Sequence, residues 1–146
     1  MTDFIAHNRT ALALGNFDGL HEGHLQVLSA VSEQSKNGLQ PVLVRFTPHP
    51  SFVFRQHTPD RLLTDAVKDE ILQSYAAAEC VLDFYAVRTL SPEEFVRDVL
   101  LDRLQAGFVA CGFNFRFGKN GEGTTQTLQK LAAEAGIECY VAPAVL

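Results

Sequence analysis

Short apolar runs alternate along this chain with stretches of helical periodicity, and this alternation most constrains the fold. Five runs are predicted to be strands: 11–14, 42–46, 80–85, 108–111 and 138–142. Several of them are continuously apolar, which is typical of strands that are buried on both faces of a parallel sheet. Strands separated by helices indicate βαβ units. The sequence therefore predicts an α/β domain with a five-stranded parallel sheet.

Four helices are predicted between the strands, at about 22–36, 65–78, 92–104 and 125–135. Their ends carry recognisable signals. Gly38 and Gly136 follow the first and fourth helices, as C-terminal caps do. Ser91 is positioned to cap the third helix, because Pro92 and Glu94 then occupy its first and third positions.

Length and composition indicate one domain over residues 1–146. A chain of 146 residues buries roughly two thirds of the surface of its unfolded form. With 47% hydrophobic and 20% charged residues it has the composition of a globular protein, and no apolar run reaches the length of a membrane-spanning helix. The N-terminal sequence lacks the pattern of a secretory signal. A cytoplasmic location without a membrane partner is therefore expected.

Charge and cysteine content argue against two classes of site. The net charge of −5 disfavours a nucleic-acid partner, since such sites need clustered Lys and Arg. Any bound phosphate is expected to belong to a small molecule. Cys80, Cys111 and Cys139 lie in or beside apolar runs and lack the spacing of metal ligands. They are predicted to be reduced strand residues, and no metal-binding residues are predicted.

The junction between the first strand and the first helix has the features of a phosphate site. Gly15 and Gly19 indicate a turn, and from His21 onwards the apolar residues recur at a helical period. The first N–H groups of a helix lack internal partners and favour an anion. His21 and His24 are three residues apart, so both can reach the same phosphate from the first turn. Gly23 between them allows close approach to the backbone.

Three unusual loops follow the first, second and fourth predicted strands, at 15–24, 47–57 and 112–123. In open parallel sheets, ligands bind beyond the carboxyl ends of the strands, so these loops are expected to converge on one site. The second and third loops carry phenylalanines, each of which either packs into the core or lines a ligand site. If 112–118 extends the fourth strand, alternation would bury Phe113, Phe115 and Phe117 and display Asn114 and Arg116. Otherwise a planar ligand would stack on phenylalanine and bond to the amide.

Four motifs together resemble a known family. They are GNFDGLHEGH at 15–24, FTPHP at 46–50, LSPEEF at 90–95 and NFRFG at 114–118. In this order they are similar to the FMN adenylyltransferase domain of bacterial bifunctional FAD synthetases, within the HxGH nucleotidylyltransferase superfamily. The resemblance covers essentially the whole chain. It implies a Rossmann-like three-layer α/β/α fold and transfer of the adenylyl group of ATP to FMN, which gives FAD and pyrophosphate.

The resemblance also implies roles for individual residues. It makes His21 and His24 catalytic. The residues implied to bind ATP are Gly15, Phe17, Asp18, Gly19, His21, Gly23 and His24, and those implied to bind flavin are Phe54, Asn114, Phe117, Pro48 and Pro50. Mg²⁺ is expected to be held mostly by substrate phosphates and water.

The chain departs from the family pattern in two ways. The family usually has an acidic residue after the glycine-rich loop, whereas Gly123 is followed here by Thr124. An ISSTxxR-type motif, which grips the outer phosphates of ATP in the family, does not occur before Leu146, and neither does a riboflavin kinase barrel. This predicts either a fragment of a longer chain that carries the kinase domain or a homologue with weakened catalysis. The alternatives are another HxGH transferase, acting on nicotinate mononucleotide, phosphopantetheine or a polyol phosphate, and a flavin- or nucleotide-binding module without turnover.

Overall fold

The computed structural model of the protein describes residues 9–15, 22–47 and 78–143. Their strands are β1 (Thr10–Leu14), β2 (Gln40–Thr47), β3 (Ala78–Asp83), β4 (Ala106–Gly112) and β5 (Glu138–Ala142). All neighbouring strands pair in parallel, in the order β3-β2-β1-β4-β5. The prediction of a five-stranded parallel sheet is therefore confirmed.

Helices lie between these strands. They are α1 (Glu22–Glu33) with a 3-10 turn at Gln34–Asn37, α2 (Phe84–Val87), α3, which begins at Pro92–Glu94 and continues as a π-helix over Phe95–Arg103, and α4 (Thr125–Glu134). The first, third and fourth predicted helices are confirmed. The helix predicted at 65–78 lies outside the described residues, except that Ala78 begins β3 instead. No described helix is long and apolar enough to cross a membrane.

The helix ends follow the local chemistry of the sequence. Gly38 adopts a left-handed conformation with φ +79° and closes the turn after α1. The Ser91 hydroxyl accepts the Glu94 N–H at 3.1 Å, and the Glu94 carboxylate accepts the Ser91 N–H at 2.9 Å, which completes a capping box at the start of α3. These predicted signals are confirmed.

The third strand ends earlier than the sequence predicts. The predicted strand extends to Tyr85, but β3 ends at Asp83 and α2 follows it. The reason is local: an Asp83 carboxylate oxygen accepts the Tyr85 N–H at 2.9 Å, as an N-cap does, and turns the chain into a helix.

The two faces of the sheet have different partners because side chains alternate along each strand. From β1, Leu12 and Leu14 pack into a core with α3 and α4, while Ala11 and Ala13 pack against α1. The α1 residues in this second core are Val27, Leu28 and Val31. The result is a three-layer α/β/α domain, as predicted.

The strand order places a topological switch point beside β1. The chain continues from β1 to β2 and β3 on one side, whereas β4 and β5 lie on the other side. The helices that follow β1 and β4 pack on opposite faces of the sheet. A crevice therefore opens at the carboxyl ends of β1 and β4, where ligands bind in folds of this type.

The three cysteines are free residues of buried or half-buried strands, as predicted. Desolvation by the core raises the pKa of Cys80 and of Cys139 to about 11 and that of Cys111 to about 12. Neutral thiols are poor nucleophiles and poor metal ligands. These cysteines therefore serve packing.

We expect the free energy of unfolding to decrease as the pH rises from about 9 towards 11. The unfolded chain releases thiol protons near the ordinary pKa of 9.0, whereas the folded chain retains them up to the raised values. The unfolded state then binds fewer protons, and linkage favours it. Urea denaturation at several pH values measures this change. The loss of stability should be smaller in Cys111→Ala, and an identical pH dependence in that variant would contradict the prediction.

Candidate functional site

The carboxyl ends of β2, β1 and β4 lie side by side. Leu14 at the end of β1 pairs with Val44 and with Cys111. Gly15 follows directly and is half-buried, while β4 continues one residue further, to Gly112. The loops predicted to converge therefore leave the sheet from three adjacent strands.

The first turn of α1 begins at this edge. The helix starts at Glu22, so the backbones of Gly23 and His24 belong to its first turn, as the sequence predicts. The helix is fixed in place because Val27, Leu28 and Val31 are almost completely buried against the sheet. Small side chains on β1 allow this close packing. The N-terminus of α1 is thus directed towards the switch point, with its N–H groups and macrodipole favourable to an anion.

Several predicted site residues lie outside what the structure describes. These are Phe17, Asp18, Gly19, His21, Pro48, Pro50 and Phe54, together with the side chain of His24. Their roles stay predictions from the sequence.

The loop after β4 begins with a tight turn rather than with an extension of the strand. The Phe115 N–H donates to the Gly112 carbonyl at 3.2 Å, which makes Phe113 and Asn114 the two central residues of a β-turn. Phe113 is 55% exposed, and Asn114 is exposed beside it. Of the two interpretations left open for 112–118, the strand extension, which would have buried Phe113, is therefore wrong. Gly112 and Asn114, both residues that favour turns, were the signal for this geometry.

Phe117 lies in the core, with only 6% of its surface exposed. Its ring centroid is 5.5 Å from that of Phe95 and 5.9 Å from that of Phe115, on which it stacks. The Phe117 and Gly123 backbones exchange hydrogen bonds of 3.0 and 2.8 Å, and a Cβ on Gly123 would lie 2.6 Å from the Phe117 ring. The ring thus anchors the whole loop. A contact between Phe117 and flavin stays a prediction from the resemblance.

The glycine-rich part of this loop is held against the start of α3. The Lys119 N–H donates to the Leu90 carbonyl at 2.6 Å, and Gly118, with φ +80°, lies so close to Pro92 that a Cβ would approach that ring to 3.0 Å. The Arg116 Nε–H donates to the Gly121 carbonyl at 2.9 Å. Two cations, Arg116 and Lys119, are therefore carried on an ordered and exposed loop that follows β4.

A cavity of about 730 Å³ lies elsewhere, between α1 and β5. Its lining extends along α1 from Leu25 and Gln26 to Glu33 and Gln34, and it includes Glu138 at the start of β5. None of the described loop residues that follow β1, β2 or β4 lines this cavity, and we do not assign the substrates to it.

In the described part of the chain, no three His, Cys, Asp or Glu side chains lie close enough to hold a metal ion.

Comparison with known proteins identifies the family. The family model described as FAD synthetase matches residues 4–146. Three similar proteins are named bifunctional riboflavin kinase/FMN adenylyltransferase. The protein from Escherichia coli (strain K12) is 35% identical over 136 residues, which is 87% of this chain and 42% of that protein. The protein from Buchnera aphidicola subsp. Schizaphis graminum is 32% identical over 129 residues, covering 86% and 41%. The protein from Bacillus subtilis is 32% identical over 127 residues, covering 82% and 39%.

A solved structure supports the fold. A Streptococcus pneumoniae protein described as a macrolide-efflux protein superposes with a TM-score of 0.77 and 24% identity, covering 96% of this chain and 46% of that one. At this identity the likeness shows the fold alone. The chain spans about two fifths of the length of the curated relatives it matches. The family match over residues 4–146 is decisive: this chain belongs to the FAD synthetase family.

Proposed function

We propose that this chain transfers the adenylyl group of ATP to FMN, giving FAD and pyrophosphate, with residues 1–146 acting as the FMN adenylyltransferase domain. The observation that carries the proposal is the FAD synthetase match over residues 4–146. The geometry of the described residues supports it. The last two residues of the HxGH motif lie in the first turn of α1, at the carboxyl edge beside the switch point.

The chemistry suits this arrangement. A phosphate oxygen of FMN forms a bond to the α-phosphorus of ATP, and the bond from that phosphorus to the pyrophosphate oxygen breaks. The FMN phosphate is already anionic near neutral pH, so no strong base and no covalent intermediate are needed. What remains for the protein is to orient the two phosphates and to stabilise the developing negative charge. The N–H groups of the first turn of α1 are suited to that task.

Individual roles are proposed from the family resemblance. His21 and His24 would contact the phosphates of ATP and stabilise charge in the transition state. The other residues proposed for ATP are Gly15, Phe17, Asp18, Gly19 and Gly23, and those proposed for FMN are Phe54, Asn114, Phe117, Pro48 and Pro50. Asn114 is exposed at the edge of the sheet, where an amide can reach a ligand.

Mg²⁺ is proposed to enter with ATP, coordinated by phosphate oxygens and water, where it would neutralise charge on the phosphates. The proposed transfer of the adenylyl group does not depend on a metal ion held by the protein. The names of the relatives attribute riboflavin kinase to the same polypeptide in those proteins. We propose that a riboflavin kinase supplies FMN to this chain too, and that the reaction takes place in the cytoplasm, where ATP is available.

The proposal is tested by incubating the purified chain with FMN and Mg-ATP and measuring FAD and pyrophosphate by chromatography. Equimolar formation of both products is expected. Parallel reactions contain nicotinate mononucleotide, phosphopantetheine or a polyol phosphate in place of FMN. Faster turnover with one of these acceptors would identify a different HxGH transferase. Binding of FMN and ATP by calorimetry without product would identify a binding module.

A further inference from the structure

We propose that Phe113 contacts the planar ring of a bound substrate, and that the turn Gly112–Phe115 presents Phe113 and Asn114 together as a recognition pair. This inference rests on the proposed function. It names a residue for which the four motifs imply no role. FMN and ATP both carry a planar heteroaromatic ring, and stacking on a phenylalanine suits either one.

The Phe113 side chain is largely exposed. At 55% it is the most exposed large hydrophobic side chain in the described part of the chain. Burying such a ring would stabilise the protein, and the two other phenylalanines of the same loop are more buried. The folded protein therefore gains little free energy from burial of Phe113.

Turn chemistry does not explain the residue either. Central positions of β-turns favour Gly, Pro, Asn, Asp and Ser, each for a stated conformational reason. Asn114 satisfies that preference, but Phe113 does not. The exposed ring therefore contributes little to packing or to the turn, and a ligand contact would bury it.

The turn is also fixed rather than loosely attached. Phe115 N–H donates to the Gly112 carbonyl, Phe115 stacks on Phe117 at 5.9 Å, and Phe117 packs on Phe95. Because the residues that follow the turn are anchored in the core, the backbone of the turn has little freedom to move. Preorganised contact groups of this kind lose less entropy when a ligand binds.

The turn lies at the carboxyl edge of the sheet, where ligands bind in folds of this type. It leaves β4 directly at the switch point, next to the end of β1 and on the edge at which α1 begins. Among the described residues, a Cβ on Gly112 would meet only the Asn114 side-chain oxygen, at 3.6 Å. No described residue therefore crowds the backbone at that position.

The test measures FMN and ATP affinities separately, by isothermal titration, for the unaltered chain and for Phe113→Ala. We expect the affinity for at least one ligand to fall about fivefold or more, the range found when an aromatic stacking partner is removed. Loss for FMN alone assigns the isoalloxazine ring, and loss for ATP alone assigns adenine. Phe113→Tyr should restore the affinity. The midpoint of thermal unfolding should not change, because the ring is exposed.

Tyr85→Ala is the matched control. Tyr85 is 46% exposed and lies after β3, two strands away from β1. Its removal should leave both affinities unchanged. If Phe113→Ala binds both ligands as the unaltered chain does, the inference is wrong. If the unaltered chain binds neither FMN nor ATP, the proposed function itself has failed, so the two failures are distinguishable.

Discussion

Replacement of His24 by Ala is expected to lower adenylyl transfer about a hundredfold or more, with little change in FMN affinity. His24 belongs to the first turn of α1, where the helix N-terminus meets the crevice beside β1. A group that acts on charge developing in the transition state affects turnover more than binding of the ground state. Loss of one such donor typically costs two to three orders of magnitude. The measurements are kcat and KM for FAD formation.

His7→Ala is the matched control for this experiment. His7 belongs to the N-terminal sequence and to none of the four motifs, so its removal should leave kcat within about twofold. Both variants should unfold at the same temperature as the unaltered chain. A His24→Ala variant with unaltered kcat would assign His24 a structural role and would leave the helix N–H groups as the source of charge stabilisation.

The start of α1 shows why part of the site could be predicted. An apolar strand, two glycines and a helical period are all local signals, and together they specify a strand-to-helix junction. The parallel sheet then makes a carboxyl edge, and the position of the junction at that edge follows. The burial of Leu12 and Leu14 against one layer and of Ala11 and Ala13 against the other is a similar consequence of period-two alternation.

The errors arose where one local hydrogen bond overrode a longer pattern. The apolar run at β3 predicted a strand up to Tyr85, but the Asp83 carboxylate caps a helix. One of the two interpretations of 112–118, an extension of the strand, would have buried Phe113, but the bond between Phe115 and Gly112 turns the chain. The π-helical geometry of α3, seen in the bond of 3.0 Å from Leu104 N–H to the Val99 carbonyl, has no counterpart in the pattern of the sequence.

Replacement of Phe117 by Ala is expected to lower the free energy of unfolding by about 3–5 kcal/mol, the usual cost of removing a buried phenylalanine. Its ring fills the space between Phe95 and Phe115 and lies directly under Gly123. The cavity left by alanine cannot be filled easily, because the loop that would have to move is bonded to the start of α3. Urea denaturation measures the change, and Phe113→Ala, which removes an exposed ring from the same loop, is the control. A change below about 1 kcal/mol would show that the Phe117 ring does not anchor the loop.

The variant Phe117→Leu then separates the anchoring role from the flavin contact that the resemblance implies. Leucine retains most of the apolar contact with Phe95, so the variant should fold with a smaller loss of stability than the alanine variant. It has no aromatic face on which a flavin could stack. If FMN affinity falls about fivefold or more in Phe117→Leu while ATP affinity is retained, the ring contacts the isoalloxazine as well as the core. If both affinities are retained, Phe117 holds the loop in place, and the exposed pair Phe113 and Asn114 is the part of that loop available to the substrates.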